Sequence, residues 1–179
     1  MCLDQFFFAS VFPYSIHQPA SLPDGYTYEI FRPRLSAPFS SGLPLFPFVF
    51  WICFHYLRIF ESEGYHLLLI RKDGNLVHRS CIFPRYFRFP FMKKNDLQVG
   101  DTWTSPSERG NGLATWALIT TLLHFSSSGL VVWYLCDISN QASSSVAFKA
   151  GMKLVGRGVR TKSFFFNLFG QFHLLELLS

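Results

Sequence analysis

A short segment with one arginine and two glycines is the part of the sequence best suited to bind a phosphorylated ligand. It covers residues 104–117 (TSPSERGNGLATWA), where a predicted strand ends and a predicted helix begins near Gly112. Glycines let the backbone turn sharply and approach a ligand closely. The free N–H groups and positive dipole end at a helix start favour phosphate, and Arg109 adds a forked cationic donor. This chemistry suits a pyrophosphate.

The same segment lacks the features of two common phosphate-binding loops. The Gly-Lys-Ser/Thr sequence of P-loops is absent, and so is the G-x-G-x-x-G pattern of dinucleotide-binding folds. Glycines at a junction between a loop and a helix also occur as plain helix caps. The spacing alone therefore leaves both a phosphate site and a simple cap open.

A second segment, residues 140–156 (NQASSSVAFKAGMKLVG), follows about 30 residues later. Together the two segments resemble the GNAT superfamily of acyl-CoA-dependent N-acyltransferases. Arg109, Gly112 and Ala114 match the defining positions of its Q/R-x-x-G-x-G/A coenzyme A motif. The second segment resembles the strand and helix that follow in the family, with Met152 in place of the usual Phe. The resemblance covers residues 97–156, and the stretch 32–60 matches no version of the family's first helices.

The resemblance implies a binding mode for acetyl-CoA or another acyl-CoA. The cofactor would lie in a splay between the strand 97–104 and the strand 130–138. The backbone after Arg109 would hold the pyrophosphate, and the pantetheine arm would pair with the edge of the strand 97–104. An amine would then attack the thioester directly, without an acyl-enzyme. The expected cofactor-binding residues are Trp103, Thr104, Arg109, Gly110, Asn111, Gly112, Leu113, Ala114, Asn140, Ser143 and Lys149.

The residues that move protons are less clearly marked. Many relatives have a tyrosine in the second helix as the acid for the departing thiolate, but the matching position here is Ala147. Tyr134 on the preceding strand is the candidate substitute. The candidate bases are Asp101 and His78, on strands near the splay, and Glu61 and Glu63, if the insert folds over the site. A structural role for each, or a chain of waters as the base, stays open.

Three other residues have competing interpretations. Asn140 either touches the cofactor or caps the helix that follows it. Cys81 and Cys136 are expected in the core rather than as nucleophiles, because no histidine partner follows at a recognisable spacing. The sequence contains no cysteine or histidine pattern typical of a metal site, so no metal is expected.

Alternating and periodic apolar residues predict one α/β (α+β) domain over residues 26–179, after an N-terminal extension over 1–25. Its central sheet would be mixed, mostly antiparallel, splayed between two strands and flanked by helices. A Pro- and Phe-rich insert at 32–60 would replace the first helices. The predicted strands cover 26–31, 65–71, 76–83, 97–104, 130–138, 153–159 and 172–177. The predicted helices cover 48–60, 112–125 and 141–150. The run 130–138 is expected to be buried on both faces, and residues 1–22 show few regular signals.

Composition restricts the class of protein. Hydrophobic residues make up 49% and charged residues 15% of the 179 residues, which excludes disorder. The 22 phenylalanines must fill a core, line an apolar groove, or contact a membrane or partner. A net charge of +5 favours anionic ligands. The scattered basic residues do not form a nucleic-acid-binding arm, so no nucleic acid partner is expected.

The stretch 43–60 (LPLFPFVFWICFHYLRIF) bears on localisation. Its 18 residues are interrupted by prolines and by Arg58, whereas a membrane-spanning helix needs about 20 apolar residues. A buried or interfacial helix is therefore favoured, with peripheral membrane contact left open. The expected location is the cytoplasm, and a homodimer is allowed.

The predicted function is transfer of an acetyl group from acetyl-CoA to a primary amine of a small molecule, such as an amino sugar, amino acid or polyamine. Two alternatives stay open. The Phe-rich insert could line a groove for a longer acyl chain, as in an N-acyl amino acid synthase. The protein could also be a catalytically silent module that binds coenzyme A.

Overall fold

Eight strands form one sheet and three helices pack on it within the part of the chain that the structure describes. The structure is a computed structural model that describes residues 3–10, 18–34, 36–62, 65–126, 130–161 and 170–178. The strands are β1 (Leu3–Ala9), β2 (Tyr26–Phe31), β3 (His66–Lys72), β4 (Asn75–Pro84), β5 (Leu97–Thr104), β6 (Val132–Asp137), β7 (Lys153–Arg160) and β8 (Phe172–Leu177). The helices are α1 (Leu45–Tyr56), α2 (Leu113–His124) and α3 (Gln141–Lys149), and a 3-10 turn covers Pro106–Glu108.

The sheet is mixed and mostly antiparallel, as predicted. Its strand order is β2-β3-β4-β5-β6-β1-β7-β8. Only β5 and β6 pair in parallel among these neighbours. Helix α2 makes the crossover between these two strands, as a parallel connection requires. The predicted bounds of β2, β5 and β8 agree with the structure.

The sequence analysis did not predict the first strand. It found few regular signals before residue 22 and treated residues 1–25 as an N-terminal extension. Strand β1 pairs antiparallel with both β6 and β7, so residues 3–9 are part of the sheet. Phe7 and Phe8 in its centre are fully buried on opposite faces. A short apolar run is the pattern of a strand covered on both faces. Only the long-range pairing distinguishes it from an apolar tail.

Strand β6 was predicted to be buried on both faces, but only one of its faces is fully buried. Val132, Tyr134 and Cys136 are buried, whereas Trp133 and Leu135 between them are half-buried. The buried set faces helices α2 and α3, which cover that side of the sheet closely. The other side is covered less completely, so the burial alternates.

Two hydrophobic cores lie on the two faces of the sheet. Helices α2 and α3 cover one face, which we call the α2/α3 face, through Leu113, Leu118, Leu122 and Ala147. Helix α1 and the segment 84–92 cover the other, the α1 face. Most of the buried phenylalanines lie on the α1 face. The core there includes Phe7, Phe48, Phe60, Phe83, Phe89 and Phe172.

Helix α1 contains most of the aromatic residues of the insert, and it starts and ends a few residues earlier than predicted. Phe46 has extended backbone angles because it precedes Pro47. Phe48 and Trp51 point into the core, whereas Phe46 and Leu57 are exposed. Within the described residues, no helix combines the length and apolar character needed to cross a bilayer. Peripheral membrane contact through 43–60 and a homodimer stay predictions.

Candidate functional site

The parallel strands β5 and β6 separate halfway along their length. They pair from Leu97 with Val132 to Val99 with Tyr134. Beyond that point β5 continues to pair with β4, while β6 continues to pair with β1. A wedge therefore opens at the carboxyl ends of the two strands, as the predicted splay requires. A cleft of about 590 Å³ occupies it.

Most of the predicted binding residues line this cleft. The ones that do are Trp103, Thr104, Arg109, Gly110, Gly112, Leu113, Ala114, Tyr134, Asn140, Ser143 and Lys149. Asn111 instead lines a neighbouring hollow, which shares Gly112, Leu113, Thr115 and Lys149 with the cleft. Six further lining residues were not predicted: Thr102, Glu108, Thr115, Ala142, Ser145 and Val146. They are small or polar, and no sequence motif singles them out.

The glycine loop presents free amides to the cleft. Gly110 and Gly112 have φ of 84° and 77°, a conformation that glycine adopts without strain. Among the described residues, no backbone N–H from 110 to 115 donates to a protein carbonyl; the first such bond of helix α2 is from Trp116 to Gly112. A Cβ added to either glycine would meet no atom within 4 Å. Open space and unpaired N–H groups are what an anion site needs.

The charge and dipoles around the cleft are also suited to an anion. Arg109 is held beside the loop, because its Nε donates to the Thr104 carbonyl at 3.2 Å. Lys149 at the end of α3 supplies a second cation to the lining. The start of α3 also lies at the cleft, where the Asn140 side chain accepts a hydrogen bond from Ser143 N at 3.0 Å. Asn140 is thus a helix cap that also lines the cleft.

A buried carboxylate that the sequence analysis missed anchors the loop from behind. Glu108 accepts hydrogen bonds from Tyr26 at 2.5 Å and Asn111 at 3.1 Å, and pairs with Lys72 at 2.8 Å. The hydrogen bonds from Lys72, Tyr26 and Asn111 lower the pKa of Glu108 to about 2. In the sequence, only its position directly before Arg109 could have indicated this role of Glu108, because its partners Tyr26 and Lys72 lie far away along the chain.

Replacing Glu108 by alanine should weaken coenzyme A binding about tenfold, since the loop loses the contacts that fix it. Calorimetric titration with coenzyme A measures the effect. Glu61→Ala is the matched control, because Glu61 pairs with Arg85 outside the cleft. Equal affinities for the Glu108→Ala variant and the wild type would show that the loop holds its shape without this carboxylate.

His78 is buried rather than exposed to the cleft, which corrects its expected place as a direct base. Its two ring nitrogens contact Thr104 Oγ1 at 2.8 Å and Ser80 Oγ at 3.0 Å. Burial, with a smaller contribution from Arg79, lowers the pKa of His78 to about 4. It reaches the cleft only through the Thr104 hydroxyl, and it is neutral at physiological pH.

This burial predicts a pH dependence of stability. The pKa of His78 is lower in the folded state than the usual 6.5. The unfolded chain therefore binds a proton more readily, and stability is lost as the pH falls from 6.5 towards 4. The loss should reach at most about 3 kcal/mol. Glu108, with a pKa of about 2, contributes only below pH 4.5. The raised pKa of Asp101 acts in the opposite direction above pH 3.8, so the contribution of His78 is the difference between the wild type and a His78 variant in denaturant melts between pH 4.5 and 6.5.

His78→Gln should flatten that part of the curve, because glutamine does not titrate. His124→Gln, which changes an exposed histidine on α2, should leave the curve as in the wild type. Loss of stability on acidification that persists in His78→Gln would assign the effect to another group.

The other candidate proton-handling residues are placed differently from one another. Tyr134 lines the cleft at the point where β5 and β6 separate. Asp101 lies outside this lining, on the α1 face, where Cys81 Sγ donates to its carboxylate. Ala147 is fully buried in the α2/α3 core, so the tyrosine of many relatives has no counterpart there. Glu61 pairs with Arg85.

Of the remaining candidate residues from the sequence analysis, those that the structure describes do not line the cleft. Glu63 lies outside the described residues. Cys81 and Cys136 are buried, as expected, and burial raises the pKa of both thiols, which keeps them protonated and poorly nucleophilic. Across the described ranges, no three His, Cys, Asp or Glu side chains lie close enough together to hold a metal ion.

Comparison with solved structures defines the class of fold. The chain is similar to a GCN5-related N-acetyltransferase from Sphaerobacter thermophilus, with 19% identity and a TM-score of 0.60 over 88% of this chain and 50% of that one. It is also similar to a tandem GNAT protein from the clavulanic acid biosynthesis pathway, with 15% identity, a TM-score of 0.60 and coverage of 88% and 52%. A GNAT-family acetyltransferase from Colwellia psychrerythraea has 15% identity, a TM-score of 0.56 and coverage of 88% and 54%.

The protein therefore has the fold of the GNAT superfamily. This confirms the resemblance found in the two sequence segments. No protein-family model and no curated protein matches the chain. The chain spans about half the length of these solved structures.

Proposed function

We propose that the protein is an N-acetyltransferase, which transfers the acetyl group of acetyl-CoA to a primary amine of a small molecule by direct attack. The observation that carries the proposal is the row of unpaired amides from 110 to 115, at the edge of a cleft that also contains Arg109 and Lys149. A pyrophosphate can accept several of these N–H groups at once. The GNAT fold supports the same ligand.

The residues around the cleft fit the rest of coenzyme A. The carboxyl half of β5, residues 100–104, has no partner on the β6 side, so its backbone groups are free to pair with the amides of pantetheine. Trp103 and Thr104 lie along this edge. Asn140, Ser143 and Lys149 face it from α3, and we assign all five to cofactor binding with the glycine loop.

Acyl-CoA, when bound, supplies the acyl group as an activated thioester. The protein orients the amine towards it and manages two protons. We assign removal of the amine proton to Asp101, which directly precedes the cleft-lining Thr102. The residue is partly open to solvent, but desolvation of its carboxylate raises its pKa while Arg79 limits the rise. We assign hydrogen bonding to the departing sulfur to Tyr134, because it lines the cleft and its hydroxyl interacts with Ser143, another lining residue. His78 could assist only through Thr104.

The packing of the aromatic residues bears on the length of the acyl chain that the donor carries. Phe48 and Trp51 on the inner side of α1 fill the core of the α1 face. The phenylalanine excess therefore does not require a groove for a long acyl chain, and we favour an acetyl donor. The longer-chain and silent alternatives become outcomes of the experiment below.

Calorimetry with acetyl-CoA, octanoyl-CoA and free coenzyme A tests the proposal, together with thioester consumption over a panel of amines. Micromolar binding of coenzyme A and faster turnover of acetyl-CoA are expected. A clear preference for octanoyl-CoA would replace the acetyl donor by a longer one. Binding without turnover of any amine would favour a silent module, and absence of binding would overturn the proposal.

A further inference from the structure

A bulge distorts β5 just beyond the residue at which it leaves β6. Cys81 lies opposite Gly100 and Arg79 opposite Trp103, so Asp101 and Thr102 together face a single residue of β4. Asp101 has φ of 47°, in the left-handed region that residues other than glycine rarely adopt. Strained residues of this kind cluster at functional sites. The bulge turns the Asp101 carboxylate to the α1 face, where Cys81 Sγ lies 3.8 Å from Oδ2.

Arg79 lies beside this carboxylate and is held by two aromatic rings. The guanidinium carbon is 5.0 Å from the centroid of the Phe48 ring and 5.2 Å from that of Trp103. None of the ion pairs between described residues includes Arg79, and its buried Nε has no hydrogen-bond partner. Aromatic rings can hold a guanidinium in place but cannot neutralise it. Arg79 is thus a fixed, half-buried cation that interacts electrostatically with the Asp101 carboxylate but makes no ion pair with it.

Two further buried polar groups beneath this position are poorly paired. The indole N–H of Trp51 and the hydroxyl of Tyr65 are buried without a hydrogen-bond partner of good geometry, and the two residues are almost completely buried. The Trp51 indole lies close enough to the Asp101 carboxylate to interact with it, and the Tyr65 hydroxyl lies close to the Cys81 thiol and to the same carboxylate. Buried polar groups are usually paired with good geometry in proteins. Polar groups that are poorly paired around Arg79 and Asp101 therefore indicate a place for a polar ligand.

We propose that Arg79, Asp101 and Trp51 form the acceptor site, and that the acceptor is an amine with a carboxylate beside it, as in an α-amino acid. The inference rests on the proposed acyltransferase function. Trp103 connects this site to the cofactor, because it contacts Arg79 and also lines the cleft. Arg79 binds the carboxylate of the acceptor, and Asp101 receives its ammonium group.

The charges favour this acceptor over the other small amines. A polyamine would place a second cation near Arg79, which costs energy in a half-buried site. An amino sugar has no carboxylate, so it would leave the Arg79 guanidinium without an acceptor for its hydrogen bonds. An α-amino acid satisfies both charges of the site at once.

These groups account for every proton and bond in the acyl transfer to an α-amino acid. The ammonium gives one proton to Asp101 and becomes the nucleophilic amine. Its nitrogen forms a bond to the acyl carbon while the carbon–sulfur bond breaks and its electron pair leaves on sulfur. The second amine proton passes to water, and the thiolate takes up one proton. The products are the N-acyl amino acid, free coenzyme A and one released proton, which Asp101 returns to solvent.

The test compares α-amino acids with their α-amides, which keep the amine and lose the negative charge. The wild-type enzyme with acetyl-CoA should have a KM for the best amino acid about 10- to 100-fold lower than for its amide, because a charge-assisted hydrogen bond is lost. Arg79→Met should raise the KM for the amino acid by a similar factor and leave the amide unchanged. Arg79→Lys keeps the charge but loses the two-pronged guanidinium, so its KM for the amino acid should lie between those of the wild type and Arg79→Met.

Binding is measured separately, so that a variant that folds poorly does not decide the result. Calorimetry on the wild-type protein saturated with coenzyme A should show binding of the amino acid and not of its amide. Equal use of acid and amide, preference for a phosphorylated amine, or no amino acid binding would each overturn the acceptor inference while the cofactor site stands. Failure to bind coenzyme A would instead overturn the proposed function.

Discussion

Replacing Gly112 by valine should weaken coenzyme A binding about 100-fold or more. Gly112 has φ of 77° and precedes the first residue of α2. A side chain at this position would meet no protein atom within 4 Å, so its methyl groups would project into the space where the phosphate is expected. Valine also disfavours this backbone conformation by about 1–2 kcal/mol, which would move the free amides. Calorimetric titration with coenzyme A measures the loss.

Gly74→Val is the matched control for this variant. Gly74 has φ of 81° in the turn between β3 and β4, and a Cβ there would also meet no atom within 4 Å. The two variants should therefore lose similar stability in denaturant melts, while only Gly112→Val loses coenzyme A affinity. Unchanged affinity in Gly112→Val would place the pyrophosphate elsewhere and remove the main support for the transferase.

Replacing Tyr134 by phenylalanine should lower kcat about 100-fold with little change in the KM for acetyl-CoA. Tyr134 is only 5% exposed and lies at the last paired position of β5 and β6. Burial raises the pKa of its hydroxyl, and an interaction with Ser143 partly opposes the rise. The hydroxyl therefore stays protonated, and in the proposed mechanism it donates a hydrogen bond to the departing sulfur. The interaction exists mainly in the transition state, so its loss affects kcat.

Tyr28→Phe controls for the loss of a hydroxyl, because Tyr28 is exposed and packs against Trp116 outside the cleft. It should keep wild-type kinetics. A Tyr134→Phe variant with unchanged kcat in single-turnover measurements would transfer the role to another group or to water. A rise in KM alone would indicate that Tyr134 only helps to bind the cofactor.

The two faces of the sheet have different proposed tasks. The α2/α3 face presents the glycine loop, Arg109 and Lys149, which suit the phosphates of the donor. The α1 face presents Arg79 and Asp101, which suit a charged acceptor. Trp103 belongs to both sites, because it lines the cleft and contacts Arg79. In the proposal, donor and acceptor therefore approach from opposite sides without competing for the same surface.

The sequence by itself determined the local parts of this protein. The glycine loop, the start of α2 and the bounds of β5 depend on residues that are neighbours in the chain, because turn conformation and strand alternation are short-range properties. The two motif segments also indicated the GNAT fold, which the solved structures confirm. The positions of Arg109 and Gly112 beside the cleft therefore follow from local sequence.

Only the tertiary structure decided which distant residues meet. Strand β1 is positioned by its pairing with β6 and β7. Its Phe8, for example, pairs with Tyr134, which is more than 120 residues away in the sequence. Glu108 contacts Tyr26 across 82 residues, and His78 is buried against Thr104 across 26. The strain at Asp101 arises from a bulge in the pairing with β4. Burial and pairing of this kind depend on the whole fold, so composition and spacing along the chain do not reveal them.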